Sequence, residues 1–222
     1  MRNSFSRTRA WLVAAALSGA VAIGAALLGH GPLLALAKPL TTILIIGCAW
    51  QRGGPPRRRT AILAGLLLSL VGDIALLWPK EGFLIGLVAF LLAHLAYLVA
   101  FTASTRLAAR PRAFAAYAVV AALLLWQLWP GVPTALRLPV VVYVVALASM
   151  AAQAACWAWA DPGQARARSA AVGGALFVAS DATLAFNKFM LPFALAPLAI
   201  LLTYWSAQAL IALALPTRSE SP

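Results

Sequence analysis

Residues 83–103 read FLIGLVAFLLAHLAYLVAFTA, a run of 21 residues without a lysine, arginine, aspartate or glutamate. A helix needs about twenty mainly apolar residues to cross the hydrocarbon core of a bilayer. The stretch therefore predicts a membrane-spanning helix. Similar runs precede and follow it, which predicts an all-α, polytopic transmembrane bundle of eight spans in a single domain, residues 1–222. The predicted spans are 11–29, 31–50, 61–78, 83–103, 113–129, 138–160, 169–187 and 193–215.

The composition of the whole chain supports a membrane protein. Hydrophobic residues make up 64% of the 222 residues and charged residues 10%, whereas a soluble domain carries about 25% charged residues. A chain this short has too little interior to shield so much apolar surface from water. Cys48 and Cys156 lie inside apolar runs and lack the spacing of a disulfide framework or a metal site. We therefore expect no metal and no cofactor.

The distribution of the cations predicts the orientation. The net charge is +12, and the basic residues lie between the apolar runs, which indicates topology control and contact with anionic headgroups, without nucleic acid as a partner. With the N-terminus in the cytoplasm, thirteen Lys and Arg fall in inner segments and three in outer loops, namely Lys80, Arg137 and Lys188. Cytoplasmic loops carry the excess of such residues. Both termini are thus predicted to be cytoplasmic, in a bacterial inner membrane.

The first span has an alternative interpretation as a signal peptide, because arginines precede an apolar stretch that ends in small residues. Its apolar run continues to Leu28, whereas the apolar part of a signal peptide usually has about 7–15 residues. Retaining the span also completes the alternation of cation-rich and cation-poor loops. We therefore prefer eight spans.

A few polar residues interrupt the apolar spans, where an ionisable side chain costs about 2.5–3.5 kcal/mol. At a rise of 1.5 Å per residue, Lys38, Asp73 and Asp181 fall in one layer, roughly 8–10 Å below the outer helix ends. His94 and Tyr204 lie roughly 16 Å deep by the same measure. Further polar residues in or beside these spans are Tyr97, Asn187, Lys188 and Gln208. The spans thus direct polar groups into the outer half of the bundle.

Two aspartates and one lysine leave one carboxyl without a cationic partner. In a low-dielectric site such a carboxyl keeps its proton near neutrality, which is the condition of a general acid. For Lys38, a purely structural role is as well supported as a functional one: it would neutralise one aspartate in a buried ion pair. His94 and Gln208 could also be structural, as hydrogen-bonded packing residues between helices.

Other functions remain open at this point. Paired intramembrane carboxylates also serve as proton relays, so a small proton-coupled transporter or a lipid-handling protein without hydrolytic activity is an alternative. An intramembrane aspartyl protease needs two aspartates as well, but Leu70-Val71-Gly72-Asp73 lacks the first glycine of a G-x-G-D pattern. A purely structural bundle with buried ion pairs is the third alternative.

An ordered set of segments resembles the YhhN/lysoplasmalogenase family of multi-pass membrane proteins. No single segment is diagnostic, and together they cover most of the chain. They are KPLTT at 38–42, GLLLSLVGDIAL at 65–76, GLVAFLLAHLAY at 86–97, GALFVASD at 174–181, Asn187, and YWSAQALI at 204–211.

The resemblance implies hydrolysis of the vinyl ether bond of a lysoplasmalogen, a single-chain phospholipid. The products are a fatty aldehyde and glycerophosphocholine or glycerophosphoethanolamine. Asp73 and Asp181 are then the catalytic pair, with Asp73 as acid and Asp181 as base, because Asn187 and Lys188 favour an ionised Asp181. The residues expected to bind or orient water or substrate are Lys38, His94, Tyr97, Asn187, Lys188, Tyr204 and Gln208.

Overall fold

The computed structural model describes residues 2–78 and 80–218, with side chains from Ser6 onward. This part of the chain is all-helical, as the sequence predicts, and the helices follow one another with short connections. The elements are α1 (Arg2–Leu27), α2 (Gly31–Trp50), α3 (Pro56–Ala75), α4 (Phe83–Thr102), α5 (Pro111–Leu128), a 3-10 turn (Trp129–Gly131), α6 (Thr134–Ala160), α7 (Ala165–Phe189) and α8 (Ala196–Leu213).

Several helices begin before the apolar runs that predicted them. α3 begins at Pro56 and α5 at Pro111, because proline suits the first helical position, where its missing N–H is not needed. α6 and α7 also start four residues earlier than the predicted spans. The first turn of α7 consists of alanine and arginine, and that of α6 contains alanine, leucine and arginine, all good helix formers. A limit set by hydropathy therefore underestimates helix length at the polar ends.

Within the described residues, seven helices are long and apolar enough to cross a membrane. α3 is the helix that does not meet this standard, although it is 20 residues long. Arg57, Arg58 and Arg59 occupy its first turn and Asp73 lies near its end, so charge is concentrated at both termini. Its central residues, from Ala61 to Gly72, carry no charge.

The helices pack as a closed ring around the buried core. Neighbours follow the order α1, α2, α3, α4, α6, α7 and α8, and α8 completes the ring by packing against α1 and α2. α5 stands outside this ring and packs against α6 and α7. The largest fully buried apolar side chains include Ile62, Leu66, Phe101, Met150, Phe177 and Ile211.

Contacts between loops show which helix ends lie together. Arg52, just after α2, donates from Nε to the carbonyl of Leu215 at 2.7 Å. Gly53 donates its backbone N–H to the carbonyl of Pro216 at 2.9 Å. The end of α2 and the end of α8 are therefore at the same end of the bundle. At the opposite end, Gly29 has φ of 69°, a conformation that glycine adopts without strain, and joins α1 tightly to α2.

Candidate active site

A cavity opens between α4, α5, α6 and α7. It contains about 820 Å³ of space not filled by protein atoms, the open mouth included. Leu and Val from all four helices line most of it, together with Phe83, Phe90 and Phe189. Among the described lining residues, the polar side chains are Tyr117, Tyr143, Asp181 and Lys188. The cavity is thus an apolar space with a few polar groups on its walls.

The wall contributed by α7 follows from helical spacing. Val178, Asp181, Ala182, Ala185 and Lys188 recur at three or four residues and so share one face. The two alanines leave space between α7 and α5 because they have no side chain beyond Cβ. This face places the carboxyl of Asp181 in the cavity and Lys188 about two turns farther, near the end of α7.

Asp181 has two polar neighbours from other helices. The hydroxyl of Tyr143 on α6 donates a hydrogen bond to Oδ2 of Asp181 at 2.6 Å. Nε2 of His94 on α4 lies 3.8 Å from the same oxygen. The Asp181 side chain is 12% exposed, so it is largely shielded while it still faces the cavity.

His94 is fully buried between aromatic rings. Its ring lies edge-on to Phe177 with centroids 4.7 Å apart, and edge-on to Tyr143 with centroids 5.1 Å apart. Neither ring nitrogen has a hydrogen-bond partner among the described residues. Buried polar groups without a partner are uncommon, and catalytic sites are one place where they occur. The imidazole is therefore held in position beside Asp181 by its ring faces.

Asp73 lies in a separate cluster between α2, α3 and α8. Nζ of Lys38 is 3.6 Å from its Oδ1 and also donates to its backbone carbonyl at 3.2 Å. Its Oδ2 accepts hydrogen bonds from the hydroxyls of Thr42 at 2.6 Å and Tyr204 at 2.8 Å. The carboxyl is 1% exposed. Lys38 therefore pairs with Asp73, which is the structural role that the sequence left open for it.

The Asp73 cluster continues along α8 and onto α4. Gln208 donates from Nε2 to the hydroxyl of Tyr204 at 3.2 Å, and it accepts at Oε1 from the hydroxyl of Tyr97 at 2.6 Å. Nε1 of Trp205 donates to Oγ1 of Thr42 at 3.2 Å. Three of the predicted orienting residues, Tyr97, Tyr204 and Gln208, are thus joined in one buried chain of hydrogen bonds that ends at Asp73.

The two aspartates do not share partners. The ring of Phe177 contacts Tyr204 of the Asp73 cluster, with centroids 5.6 Å apart, and also contacts His94 beside Asp181. Asp181 lines the cavity, and Asp73 is not among the residues described as lining it. The sequence analysis expected both carboxyls to act on one substrate. The structure instead gives them adjacent clusters with an aromatic side chain between.

Lys188 lines the same cavity as Asp181, whereas Asn187 is not among the described lining residues. Oδ1 of Asn187 accepts a hydrogen bond from the backbone N–H of Phe193 at 3.1 Å, which supports the turn after α7. Nζ of Lys188 lies 4.0 Å above the ring of Phe83. Neither forms a described contact with Asp181, because six and seven residues of helix separate their side chains from it. Neither residue therefore favours an ionised Asp181 through a direct contact.

Sequence reasoning missed Tyr143 and Tyr117. Both are tyrosines inside apolar spans, away from the ends where aromatic residues usually lie at the membrane interface. That position is the signal that could have identified them. For metals, the described residues bring together no group of three His, Cys, Asp or Glu side chains.

Comparisons with known proteins identify relatives with similar sequences. The chain is 38% identical over 189 residues to lysoplasmalogenase TMEM86B of Sus scrofa, covering 83% of this chain and 74% of the relative. It is 34% identical over 166 residues to lysoplasmalogenase TMEM86A of Homo sapiens, covering 69% and 64%. It is 34% identical over 181 residues to a lysoplasmalogenase of Mycobacterium bovis, covering 76% and 64%.

The chain therefore spans about two thirds to three quarters of the length of these relatives. No solved structure matches it. The model of the YhhN family matches residues 33–215, which include every residue of both clusters. The chain belongs to the YhhN family.

Proposed function

We propose that this protein is a membrane-embedded lysoplasmalogenase. It hydrolyses the vinyl ether bond of a lysoplasmalogen and releases a fatty aldehyde and a glycerophospho-alcohol. The observation that carries the proposal is the carboxyl of Asp181, which faces an apolar cavity in a chain whose relatives are named lysoplasmalogenase. No metal or cofactor enters the proposal.

The cavity suits a single-chain phospholipid. The apolar walls match a hydrocarbon chain. Lys188 lies seven residues beyond Asp181, roughly 10 Å along α7. A lysophospholipid can thus place its phosphate near the Lys188 ammonium while the vinyl ether lies near Asp181.

Asp181 is the group placed to transfer the proton, because a general acid must reach the reacting atom. The proton passes from the Asp181 carboxyl to the β-carbon of the vinyl ether, and the α-carbon becomes part of an oxocarbenium ion. The resulting carboxylate accepts a proton from water as the water oxygen bonds to the α-carbon. The hemiacetal then breaks its bond to the glycerol oxygen, the proton of the hemiacetal hydroxyl passes to that oxygen, and the aldehyde and the alcohol result. One water is consumed and Asp181 is regenerated.

Tyr143 and His94 support this step from two sides. The Tyr143 hydroxyl binds Oδ2 of Asp181, which orients the carboxyl and stabilises the negative charge left after proton transfer. The Nε2 atom of His94 lies 3.8 Å from the same oxygen. It can bind water on the carboxyl without contacting the lipid chain.

In this proposal Asp73 acts through other residues. Its carboxyl lies beside the Lys38 ammonium, and it fixes the hydroxyls of Thr42 and Tyr204. Tyr204 packs edge-on against Phe90, with centroids 5.7 Å apart, and Phe90 lines the cavity. Asp73 thereby positions the cavity wall, and the roles of acid and base that the sequence divided between the aspartates fall to Asp181.

We further propose that all eight helices span the membrane as a single domain, with both termini in the cytoplasm of a bacterium. The surplus of cations in alternate loops supports this orientation. The contacts from Arg52 to Leu215 and from Gly53 to Pro216 agree, because six helices, an even number, separate these two chain segments. α3 takes part as the eighth span, with its three arginines at the headgroups.

The test is aldehyde release by the purified protein in detergent. Lysolipids with a vinyl ether, an ester and an alkyl ether at the same position are compared by mass spectrometry. We expect cleavage of the vinyl ether lipid and its loss in Asp181→Asn, while Asp161→Asn, a change in an exposed loop, leaves it intact. Full activity in Asp181→Asn would remove this residue from the reaction. Absence of aldehyde with every substrate, together with proton-coupled flux in proteoliposomes, would support the transporter instead.

A further inference from the structure

The cavity beside Asp181 continues only a short distance past the carboxyl. Its wall on α7 runs from Lys188, near the end of the helix, back to Val178, which lies three residues from Asp181, roughly 5 Å along the helix. On α6 the lining residues end at Ala148, five residues past Tyr143 and roughly 8 Å along that helix. The space between the carboxyl and this inner end of the cavity is therefore shallow.

Packed core residues close the inner end. Leu147 lines the cavity and is 4% exposed. Met150 lies about one turn farther along α6 and is fully buried. Phe177, one turn from Asp181 toward the start of α7, is fully buried as well, and its ring contacts Tyr204 in the core. The described residues thus give the cavity no continuation in this direction.

The wall formed by α5 is held at its two ends and loosely packed between them. In this helix, which the structure describes completely, Ala113 and Leu128 are buried and the residues between them are not. α5 contacts α6 broadly and α7 only narrowly. Val120 lines the cavity near the middle of α5 and is nevertheless 39% exposed. This side chain therefore faces both the cavity and the outer surface of the bundle.

The exposed lining residues mark two openings of different chemistry. Of the lining residues that the structure describes, Lys188 and Val120 are exposed, and the others are buried or half-buried. The first opening carries an ammonium group at the end of α7. The second is apolar and lies along α5. A lipid has a polar headgroup and a hydrocarbon chain, so the two openings suit its two parts.

We propose that the hydrocarbon chain of the substrate leaves the cavity past Val120 and lies in the bilayer, an inference that rests on the proposed hydrolase function. The hydrocarbon core of a bilayer is about 30 Å thick, so a lipid chain in one leaflet extends about 15 Å. With the vinyl ether at Asp181, such a chain exceeds the roughly 5–8 Å that remain before the inner end. The rest of the chain passes out along α5, where lipid replaces the missing wall.

This path determines how the protein treats chains of different length. Carbons close to the vinyl ether contact the cavity, whereas distal carbons stay in lipid before and after binding and gain little from the protein. The chain also need not leave the membrane for the vinyl ether to reach Asp181. A bulky residue at Val120 should therefore hinder a long chain more than a chain that ends inside the cavity.

The experiment compares two neighbouring valines of α5. Val120→Trp places a large ring at the apolar opening. Val119→Trp places the same ring one residue earlier, at a position that is 59% exposed and is not among the described lining residues. Steady-state kinetics of the full-length protein in mixed micelles are measured with vinyl ether lysolipids that carry a hexadecenyl or a hexenyl chain. The quantity compared is the ratio of kcat/KM for the long chain to kcat/KM for the short chain.

We expect this ratio to fall tenfold or more in Val120→Trp and to stay within twofold of its original value in Val119→Trp. An unchanged ratio in Val120→Trp, whether both activities persist or fall together, overturns the proposed path. An equal fall in Val119→Trp also overturns it, because bulk anywhere on the surface of α5 then explains the effect.

Photolabelling of the protein without substitutions gives a test that does not depend on the folding of Val120→Trp. The probe is an alkyl ether lysolipid, which the proposed reaction does not cleave, with a diazirine at its terminal chain carbon. We expect labels on α5 at and around Val120, displaced by excess unlabelled alkyl ether lysolipid and not by phosphatidylcholine. Labels confined to Leu147 and Ala148, or equal displacement by both lipids, contradict the path.

The two measurements separate this inference from the proposed reaction. Specific labelling at Val120 without aldehyde release from either lysolipid would support the chain path and count against the hydrolase. Aldehyde release with labels confined to the inner end of the cavity would support the hydrolase and reject the chain path.

Discussion

The hydroxyl of Tyr143 on α6 reaches the carboxyl of Asp181 on α7 at 2.6 Å, inside a cavity whose walls are mainly apolar. This is the single direct hydrogen bond described for Asp181. Asp73, by contrast, receives two hydroxyls and a lysine. The proposed proton transfer therefore depends on one neighbouring donor more than on the second aspartate.

Tyr143→Phe tests this dependence. A hydrogen bond to a charged group contributes about 1.5–3 kcal/mol, so we expect the rate of aldehyde release to fall about ten- to a hundredfold with little change in folding. Steady-state kinetics on the vinyl ether lysolipid measure it. Tyr117→Phe is the matched control, because Tyr117 lines the same cavity and has no described bond to Asp181. Equal losses in both variants would show that the hydroxyl of Tyr143 has no specific role.

The Lys38–Asp73 pair predicts a stability effect. Lys38→Met leaves Asp73 buried beside Thr42 and Tyr204 without its cation, and breaking a buried ion pair in this way costs about 3–5 kcal/mol. We expect a large fall in the unfolding midpoint in detergent. Lys38→Met combined with Asp73→Asn should regain much of it, since no charge is then left unpaired. Lys80→Met, at an exposed position, should have little effect. A double variant no more stable than Lys38→Met would argue against the pairing.

Much of the fold follows from the sequence. Residues 83–103 predict α4 because length and lack of charge are sufficient to define a spanning helix. The distances of Lys38 and Asp73 from their helix ends also predict that both lie in one layer, and the structure pairs them. Their contact could be predicted because both residues lie at known distances from helix ends, on consecutive helices.

The hydrogen-bond partner of Asp181 could not be predicted from the sequence in this way. α6 is apolar on every face, so its sequence does not indicate which face turns toward α7. Tyr143 is 38 residues from Asp181, and the rotation of α6 about its own axis depends on packing against α4, α5 and α7. Lys188 was preferred as a partner because it is close in sequence, but its side chain lies over Phe83.

The close packing of Gly65 against Tyr97 predicts that a larger residue at position 65 disturbs the buried hydrogen bonds that lead to Asp73. A Cβ at this position would overlap the ring of Tyr97, whose hydroxyl binds Gln208. Gly65→Ala should therefore displace the ring and destabilise the protein by about 1–3 kcal/mol, the usual cost of overpacking. Gly24→Ala in α1 is the control, because no atom lies within 4 Å of its added Cβ. Thermal unfolding in detergent measures both. A Gly65→Ala protein as stable as Gly24→Ala would show that Tyr97 adjusts freely.

The orientation predicts which loops are accessible from outside the cell. Arg57 lies in the first turn of α3, Lys80 follows the end of the helix, and both are exposed, so labelling cysteines at these two positions tests whether this charged helix crosses the membrane. The background carries Cys48→Ala and Cys156→Ala, which remove the two native thiols. In intact cells, a membrane-impermeant maleimide should label Lys80→Cys and not Arg57→Cys, and lysis should make both reactive. Labelling of both variants in intact cells would mean that α3 does not span the bilayer. Labelling of Arg57→Cys alone would reverse the orientation and place the Asp181 cavity in the cytoplasmic half of the membrane.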